Sequence, residues 1–71
     1  MDYPSQNLAN AIVEMAARDY RNSLIRLKRH PDDLRAAGHK RECERFFHSR
    51  WYSMLTTVDP DMILERIRKE V

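Results

Sequence analysis

The sequence predicts an all-α fold, a long antiparallel helical hairpin followed by a short third helix at the carboxyl end. Its 71 residues are enough for one domain at most. The chain has a single glycine, and apolar residues recur at intervals of three and four, as on one face of a helix. Each of the three prolines, Pro4, Pro31 and Pro60, stands beside residues that favour a helix start. We therefore interpret residues 1–71 as a single α-helical domain.

The first helix is predicted over residues 6–29, with Ser5 as its N-cap. A broad apolar stripe runs along it, formed by Leu8, Ile12, Met15, Ala16, Tyr20, Leu24 and Leu27. Asp19 and Arg26 are seven residues apart and interrupt this stripe on one face. Two interpretations stay open. In the first, the two residues lie near the edge of the core or Asp19 pairs with a basic residue of the second helix. In the second, they form a polar pocket or contact a ligand.

The second helix is predicted over residues 32–56, with Asp32 and Asp33 in its first turn. Residues at steps of three and four mark a single, mostly apolar stripe along it, formed by Ala36, Lys40, Cys43, Phe47, Trp51, Met54, Leu55 and Val58. Phe46 and Tyr52 lie off that stripe, which makes them candidates for an interface.

Two residues leave the course of the second helix open. Gly38 weakens its early part, so the helix could begin late, near this glycine, after a loop over residues 31–37. Ser49 could act as a second N-cap and divide the helix into two pieces.

The third helix is predicted over residues 60–70, with Asp59 as N-cap, Pro60 at the first helical position and Asp61 after it. It buries Ile63, Leu64, Ile67 and Val71. The hairpin turn falls at residues 30–33. Two helices of about 24 residues would each be about 36 Å long, and the short third helix would cover only one end of them. Because this leaves apolar surface exposed, we expect a homo-oligomer.

The composition excludes several classes of protein. No stretch approaches the roughly 20 apolar residues of a membrane span, and the first residues, MDYPSQN, do not have the pattern of a signal peptide. The single cysteine, Cys43, cannot form an internal disulfide, so we expect a cytoplasmic protein. Because Cys43 lies on the stripe of the second helix, we expect it to be a buried core residue. With the resemblance described below, the expected location is the host bacterial cytosol.

The sequence also argues against an enzyme with a cofactor or a metal. One glycine cannot build a loop that cradles phosphate. His39 and Cys43, four residues apart, could share a metal ion, but a structural zinc site needs four ligands and companions are lacking. We expect no enzymatic activity, no cofactor and no metal.

Positive charge is concentrated in the middle of the chain. Residues 18–50 contain ten Lys or Arg and five Asp or Glu, a formal charge of +5, whereas the other residues carry −3. This pattern is typical of a surface that binds a phosphate-containing ligand or nucleic acid. Solvated helix faces give the same pattern, and both interpretations stay open.

The segment 42–52 combines arginines with aromatic residues. Arg45, Phe46, Arg50 and Tyr52 could hold a nucleotide, with a ring stacked on the base and a guanidinium on the phosphate. The alternative is a second apolar face that packs on the third helix or on a neighbouring subunit.

Two motifs suggest a family. Ala17-Arg18-Asp19-Tyr20-Arg21 and the run Glu44-Arg45-Phe46-Phe47-His48-Ser49-Arg50-Trp51 give the patterns A-x-D-Y-R and E-R-F-F-x-S-x-W. With them, the chain resembles a group of small helical proteins encoded in phages and prophages of Gram-positive bacteria. The resemblance covers most of the chain.

The resemblance implies a protein that acts by stoichiometric binding, in anti-defence. It would sequester a signalling nucleotide or inhibit a host defence protein, and the alternative is a small DNA- or RNA-binding accessory protein that uses the basic hairpin. The candidate binding residues are Asp19, Tyr20, Arg26, Arg45, Phe46, His48, Arg50 and Tyr52.

Overall fold

The computed structural model describes residues 5–71 and contains four α-helices within them. They are α1 (Gln6–Arg29), α2 (Leu34–Phe47), α3 (Arg50–Leu55) and α4 (Pro60–Glu70). The all-α prediction is confirmed, and so are the bounds of the first and last helices. The expectations that concern Pro4 and the other residues before Ser5 lie outside the described part of the chain.

Local capping explains where α1 and α4 begin. The Ser5 Oγ accepts a hydrogen bond of 3.2 Å from the Leu8 backbone N–H, which otherwise has no partner in the first turn. The Asp59 carboxylate does the same for the Asp61 N–H at 2.9 Å, and Pro60 occupies the first helical position, where no N–H is needed. These signals are local, and therefore readable in the sequence.

The prediction of one helix over residues 32–56 is wrong, because the chain breaks at His48 and Ser49. The Ser49 Oγ accepts a 3.1 Å hydrogen bond from the Tyr52 N–H and donates one of 2.6 Å to the Phe46 carbonyl. It thereby closes α2 and opens α3 with one side chain. Of the alternatives left open, division at Ser49 is the one that the structure shows.

The alternative of a late start near Gly38 is also wrong. α2 begins at Leu34, and the Asp33 carboxylate accepts a 3.0 Å hydrogen bond from the Ala36 N–H as its N-cap. Asp32 and Asp33 therefore precede the helix and do not form its first turn. Gly38 lies inside α2 without any unusual backbone angle, so the cap at Asp33 outweighs its low helix propensity.

The helices form an up-down-up bundle in which α4 runs parallel to α1. At one end, the Lys28 Nζ donates a 2.7 Å hydrogen bond to the Val71 carbonyl, so the last turns of α1 and α4 lie side by side. At the other end, His48 after α2 contacts Asp61 at the start of α4, 2.8 Å away. α4 thus runs beside α1, and its 11 residues extend over part of the 24-residue α1.

The core is largely aromatic. It consists of Tyr20, Phe47, Tyr52, Leu64 and Ile67, with half-buried residues such as Cys43 and Phe46 packed against it. The Phe47 and Tyr52 rings pack with centroids 5.3 Å apart, and Tyr20 meets Phe47 edge-on at 6.5 Å. Aromatic pairs with these geometries contribute beyond their buried area. The prediction that Cys43 is a buried core residue is only partly right, because it packs against the core but is half-buried.

Several residues of the predicted stripes are exposed. Because the break at Ser49 changes the register between α2 and α3, Trp51 turns outward (41% exposed) and Tyr52 turns into the core (2%). The opposite was expected for both. Leu8, Met15 and Val58 are also exposed. None of the helices in residues 5–71 is long and apolar enough to cross a membrane.

Candidate functional site

Tyr20, a predicted binding residue, is engaged in a network that joins α1, α2 and α4. Its hydroxyl donates to the Glu44 Oε2 at 2.9 Å and accepts from the Arg68 Nε at 2.9 Å. The Arg68 Nη2 and the Lys40 Nζ reach the same Glu44 oxygen at 3.2 and 3.1 Å. The Tyr20 ring is fully buried. Its hydroxyl is therefore used within the fold.

The ionisation of these groups follows from the contacts. Burial raises the pKa of Tyr20. Burial also disfavours the Glu44 carboxylate, but the hydrogen bonds from Tyr20, Lys40 and Arg68 outweigh it and lower the Glu44 pKa. The hydrogen bond to the Tyr20 hydroxyl raises the pKa of Arg68, with a further contribution from Glu44. The network thus holds an ionised Glu44–Arg68 pair at the edge of the core.

His48 connects α2 with α4. Its Nδ1 lies 2.9 Å from the Glu44 carbonyl oxygen, and its Nε2 lies 2.8 Å from the Asp61 Oδ1. Both partners are acceptors, so the doubly protonated ring satisfies both. The hydrogen bond to Asp61, with that to the Glu44 carbonyl, raises the pKa of His48. His48, which the sequence analysis proposed as a binding residue, therefore links α2 to α4.

The aromatic residues of segment 42–52 pack on one another. The buried Tyr52 donates a 2.9 Å hydrogen bond to the Val58 carbonyl, and the half-buried Phe46 meets the Tyr52 ring edge-on at 5.9 Å. A ring that is 2% exposed cannot stack on a base, so the nucleotide arrangement predicted around Tyr52 does not form. Arg45 and Arg50 are exposed, and neither has a carboxylate within 4 Å inside the described range.

Asp19 and Arg26 share an open polar groove between α1 and α2, with a volume of about 610 Å³. The Arg26 Nε pairs with the Asp33 Oδ2 at 2.8 Å, whereas Asp19 forms no ion pair with any residue from 5 to 71. The expected pairing of Asp19 with a basic residue of the second helix is therefore not seen. The full lining is Asp19, Asn22, Ser23, Arg26, Asp33, Arg35, Ala36, His39, Glu42 and Cys43.

The groove mixes charges of both signs and offers no metal site. It has three carboxylates and two arginines, so it does not single out a phosphate group. His39 and Cys43 both line it, but the described residues contain no cluster of three or more His, Cys, Asp or Glu side chains able to hold a metal ion. Burial, followed by the charge of Asp19, raises the pKa of the Cys43 thiol, which disfavours the nucleophilic thiolate.

A second, mainly apolar groove of about 370 Å³ lies on α4 and the loop before it. Val58, Met62 and Ile63 form its apolar surface, and we call it the α4 groove. Glu65, Arg66 and Lys69 complete its lining. Val58 and Ile63 also line a separate depression of about 150 Å³ against α1, beside Asn10, Val13 and Glu14, so the two hollows are adjacent.

Sequence reasoning missed the α4 groove because it assigned Val58 and Ile63 to the core. Val58 is 46% exposed, and Ile63 is half-buried. Met62 is 65% exposed and lies off the stripe of Ile63, Leu64 and Ile67. An apolar residue off the stripe of an amphipathic helix was the available signal.

The candidate residues do not form one site. Asp19 and Arg26 line the α1–α2 groove, Tyr20 and Tyr52 lie in the core, and His48 bonds to α4.

Comparison with known proteins gives no match to a family model, a curated protein or a solved structure.

Proposed function

We propose that this chain is a non-catalytic binding protein of the phage type, which acts stoichiometrically on a host defence protein in the bacterial cytosol. The α4 groove is the proposed docking site. The observation that carries the proposal is the exposure of Val58 and Met62, 46% and 65%, in this mainly apolar groove. Exposed apolar surface rimmed by charged residues is typical of protein interfaces.

The rim of the groove is largely neutralised within the chain. Lys69 pairs with Glu65 at 3.3 Å, and Arg66 pairs with Glu70 at 3.6 Å. A partner that fills the groove therefore meets apolar side chains in the centre and internally paired charges at the edge. This arrangement suits an inserted apolar side chain, the usual anchor of a binding energy hot spot.

The surrounding end of the bundle indicates the charge of the partner. The first half of α1, the segment around α3 and the first half of α4 (residues 5–17 and 46–65) carry four acidic residues, Glu14, Asp59, Asp61 and Glu65, against Arg50 and His48. Of the four, Asp61 pairs with His48 and Glu65 with Lys69, which leaves Glu14 and Asp59 without an ion pair in residues 5–71. Because complementary charges guide association, the partner is expected to place basic residues around its apolar anchor.

The geometry favours a protein partner over a signalling nucleotide. A nucleotide needs a pocket with free donors for its phosphates and a surface on which the base can stack. The α1–α2 groove has three carboxylates, and Tyr52 is buried. The α4 groove needs neither feature to accept an apolar side chain.

Photo-crosslinking tests the proposal. A photoreactive residue replaces Met62 in one variant and Leu34, which is 84% exposed at the other end of the bundle, in the control. Both variants are expressed in a host that carries a defence system. We expect one defence protein to crosslink at position 62 and not at position 34. A crosslink between two copies of the chain would assign the groove to self-association and overturn the proposal.

The captured protein is then purified and titrated with the chain. We expect 1:1 binding that Met62→Asp weakens at least tenfold, because a carboxylate in an apolar contact must be desolvated. Leu34→Asp is the matched control, since it introduces the same charge at an exposed apolar position. In cells, the wild type and Leu34→Asp are expected to restore plating of a phage that the defence restricts, and Met62→Asp is not. Equal loss in both variants would contradict the assignment.

A further inference from the structure

The outer face of the carboxyl-terminal half of α1 is a row of positive charge. Arg18, Arg21, Lys28 and Arg29 share this face with Asn22 and Ile25. Arg21, Asn22, Ile25 and Arg29 follow Arg18 by three, four, seven and eleven residues. These spacings keep them on one side of the helix, over about 16 Å of its length. All six residues are exposed. We call this surface the α1 basic face.

The α1 basic face contains no acidic residue. Within Gln6–Arg29 the carboxylates are Glu14 and Asp19. Asp19 lines the α1–α2 groove, and Glu14 lies by the depression next to Val13, beyond the amino end of the face. Glu14 lies one turn before Arg18 on the same side of the helix and offsets part of its charge, whereas the field of Arg21, Lys28 and Arg29 is not cancelled on their own helix.

Three of the four cations have no structural partner in the chain from Ser5 onward. Arg18, Arg21 and Arg29 form no ion pair and no side-chain hydrogen bond there, whereas Lys28 donates to the Val71 carbonyl. Favourable interaction with the helix dipole explains basic residues in the last turn only, and Arg18 and Arg21 lie two or more turns earlier. Like charges at helical spacing repel each other, so the row costs stability without a contact that offsets it.

The shape of the face selects the kind of anion. It is the convex side of a single helix, and of its six residues only Asn22 lines one of the larger hollows of the described surface, so a free nucleotide would not be enclosed. Ile25, 36% exposed, is its one apolar residue, which is too little for a protein hot spot or for insertion into a membrane. A regular row of guanidinium groups matches a regular row of phosphates.

We propose that the α1 basic face binds the phosphodiester backbone of duplex nucleic acid, without reading the bases. Arg18, Arg21 and Arg29 contact phosphates, and Lys28 adds to the local field. The site shares no residue with the α4 groove, so this inference does not depend on the proposed function.

Salt-dependent binding to a fluorescent 20-base-pair DNA duplex tests the proposal. Each phosphate contact contributes about −0.9 to the slope of log K against log salt, so three contacts predict a slope of about −2.7, or about a 40-fold loss of affinity between 50 and 200 mM KCl. The test variant carries three substitutions, Arg18→Gln/Arg21→Gln/Arg29→Gln. We expect its slope of log K against log salt to be smaller in magnitude than about 1, and its binding at 50 mM KCl to be at least tenfold weaker than that of the wild type. The same titration with a 20-base-pair RNA duplex shows whether the face binds the backbone of DNA, of RNA or of both.

The matched control removes three other exposed arginines, in Arg35→Gln/Arg41→Gln/Arg45→Gln. These residues lie on α2, also lack a carboxylate within 4 Å in residues 5–71, and their loss gives the same net charge. We expect this variant to keep most of the salt slope, and thermal unfolding shows that both variants fold. Failure of the wild type to bind either duplex at 50 mM KCl, equal losses in the two variants, or equally tight binding of poly-L-glutamate would each overturn the proposal.

Discussion

The Nε2 of His48 lies 2.8 Å from the Oδ1 of Asp61, and this contact ties the end of α2 to the first turn of α4. The Nδ1 of the same ring faces the Glu44 carbonyl oxygen. A protonated imidazole donates at both positions, whereas a neutral ring donates at only one. The link between α2 and α4 is therefore strongest when His48 carries its charge, and the stability of the bundle depends on pH.

The first prediction follows from the sign of that shift. The pKa of His48 is raised above 6.5 in the folded chain, so its contribution is fully present below pH 6.5 and is lost as the pH rises through the folded value. We expect the melting temperature of the wild type to fall more between pH 6 and pH 8.5 than that of His48→Gln. Asp61→Asn is expected to behave like His48→Gln. Parallel pH profiles for all three proteins would contradict the prediction.

The second prediction concerns the hydroxyl of Tyr20. Tyr20→Phe removes the bonds to Glu44 and Arg68 but keeps the buried ring. We expect the free energy of unfolding in urea to fall by about 1.5–3 kcal/mol, the usual contribution of a hydrogen bond to a charged group. Ser53→Ala, which removes an exposed hydroxyl bonded to the Arg50 carbonyl, is the control and should change it by less than about 0.5 kcal/mol. Equal effects would show that the network adds little.

The third prediction tests the register change at Ser49. Phe47 is fully buried, so Phe47→Ala should cost about 3–5 kcal/mol, comparable to the entire stability of a domain of this size. Trp51→Ala should cost much less, because the Trp51 side chain is 41% exposed. Circular dichroism in urea measures both. A larger loss for Trp51→Ala would support the continuous helix that the sequence favoured.

The fourth prediction concerns Gly38 within α2. A Cβ added at this position would meet no atom within 4 Å. Gly38→Ala should therefore raise the free energy of unfolding by about 0.5–1 kcal/mol, through the higher helix propensity of alanine and a less flexible unfolded chain. Ala37→Gly, one residue earlier, should lower it. A destabilised Gly38→Ala would contradict this prediction, since the structure leaves open space at this position.

The ends of α1 and α4 could be predicted because their causes are local. A serine or aspartate beside a proline offers a cap regardless of the rest of the fold. The break between α2 and α3 was harder to predict, since the apolar spacing through Phe47 and Trp51 favours one helix while the Ser49 hydroxyl favours two. The structure shows that the cap prevails, and this exchanges the environments of Trp51 and Tyr52.

The candidate sites depend on the arrangement of helices, which local patterns do not contain. Register on one helix placed Asp19 and Arg26 on a common face, and they do share a groove. The partners of Tyr20 lie 24 and 48 residues away, and become neighbours only when α4 runs beside α1. The α4 groove has the same origin, because Val58 and Met62 become exposed through the packing of the loop and α4.

The short helix α3 has a consequence for how the molecule opens. Six residues form too few backbone hydrogen bonds for a helix to persist alone in water. Its order depends on the burial of Tyr52 and Leu55, and the Tyr52 hydroxyl also holds the Val58 carbonyl. The amide protons of α3 and of the loop after it should therefore exchange with deuterium in one cooperative event with the aromatic core, whereas the first turn of α1 should fray and exchange independently.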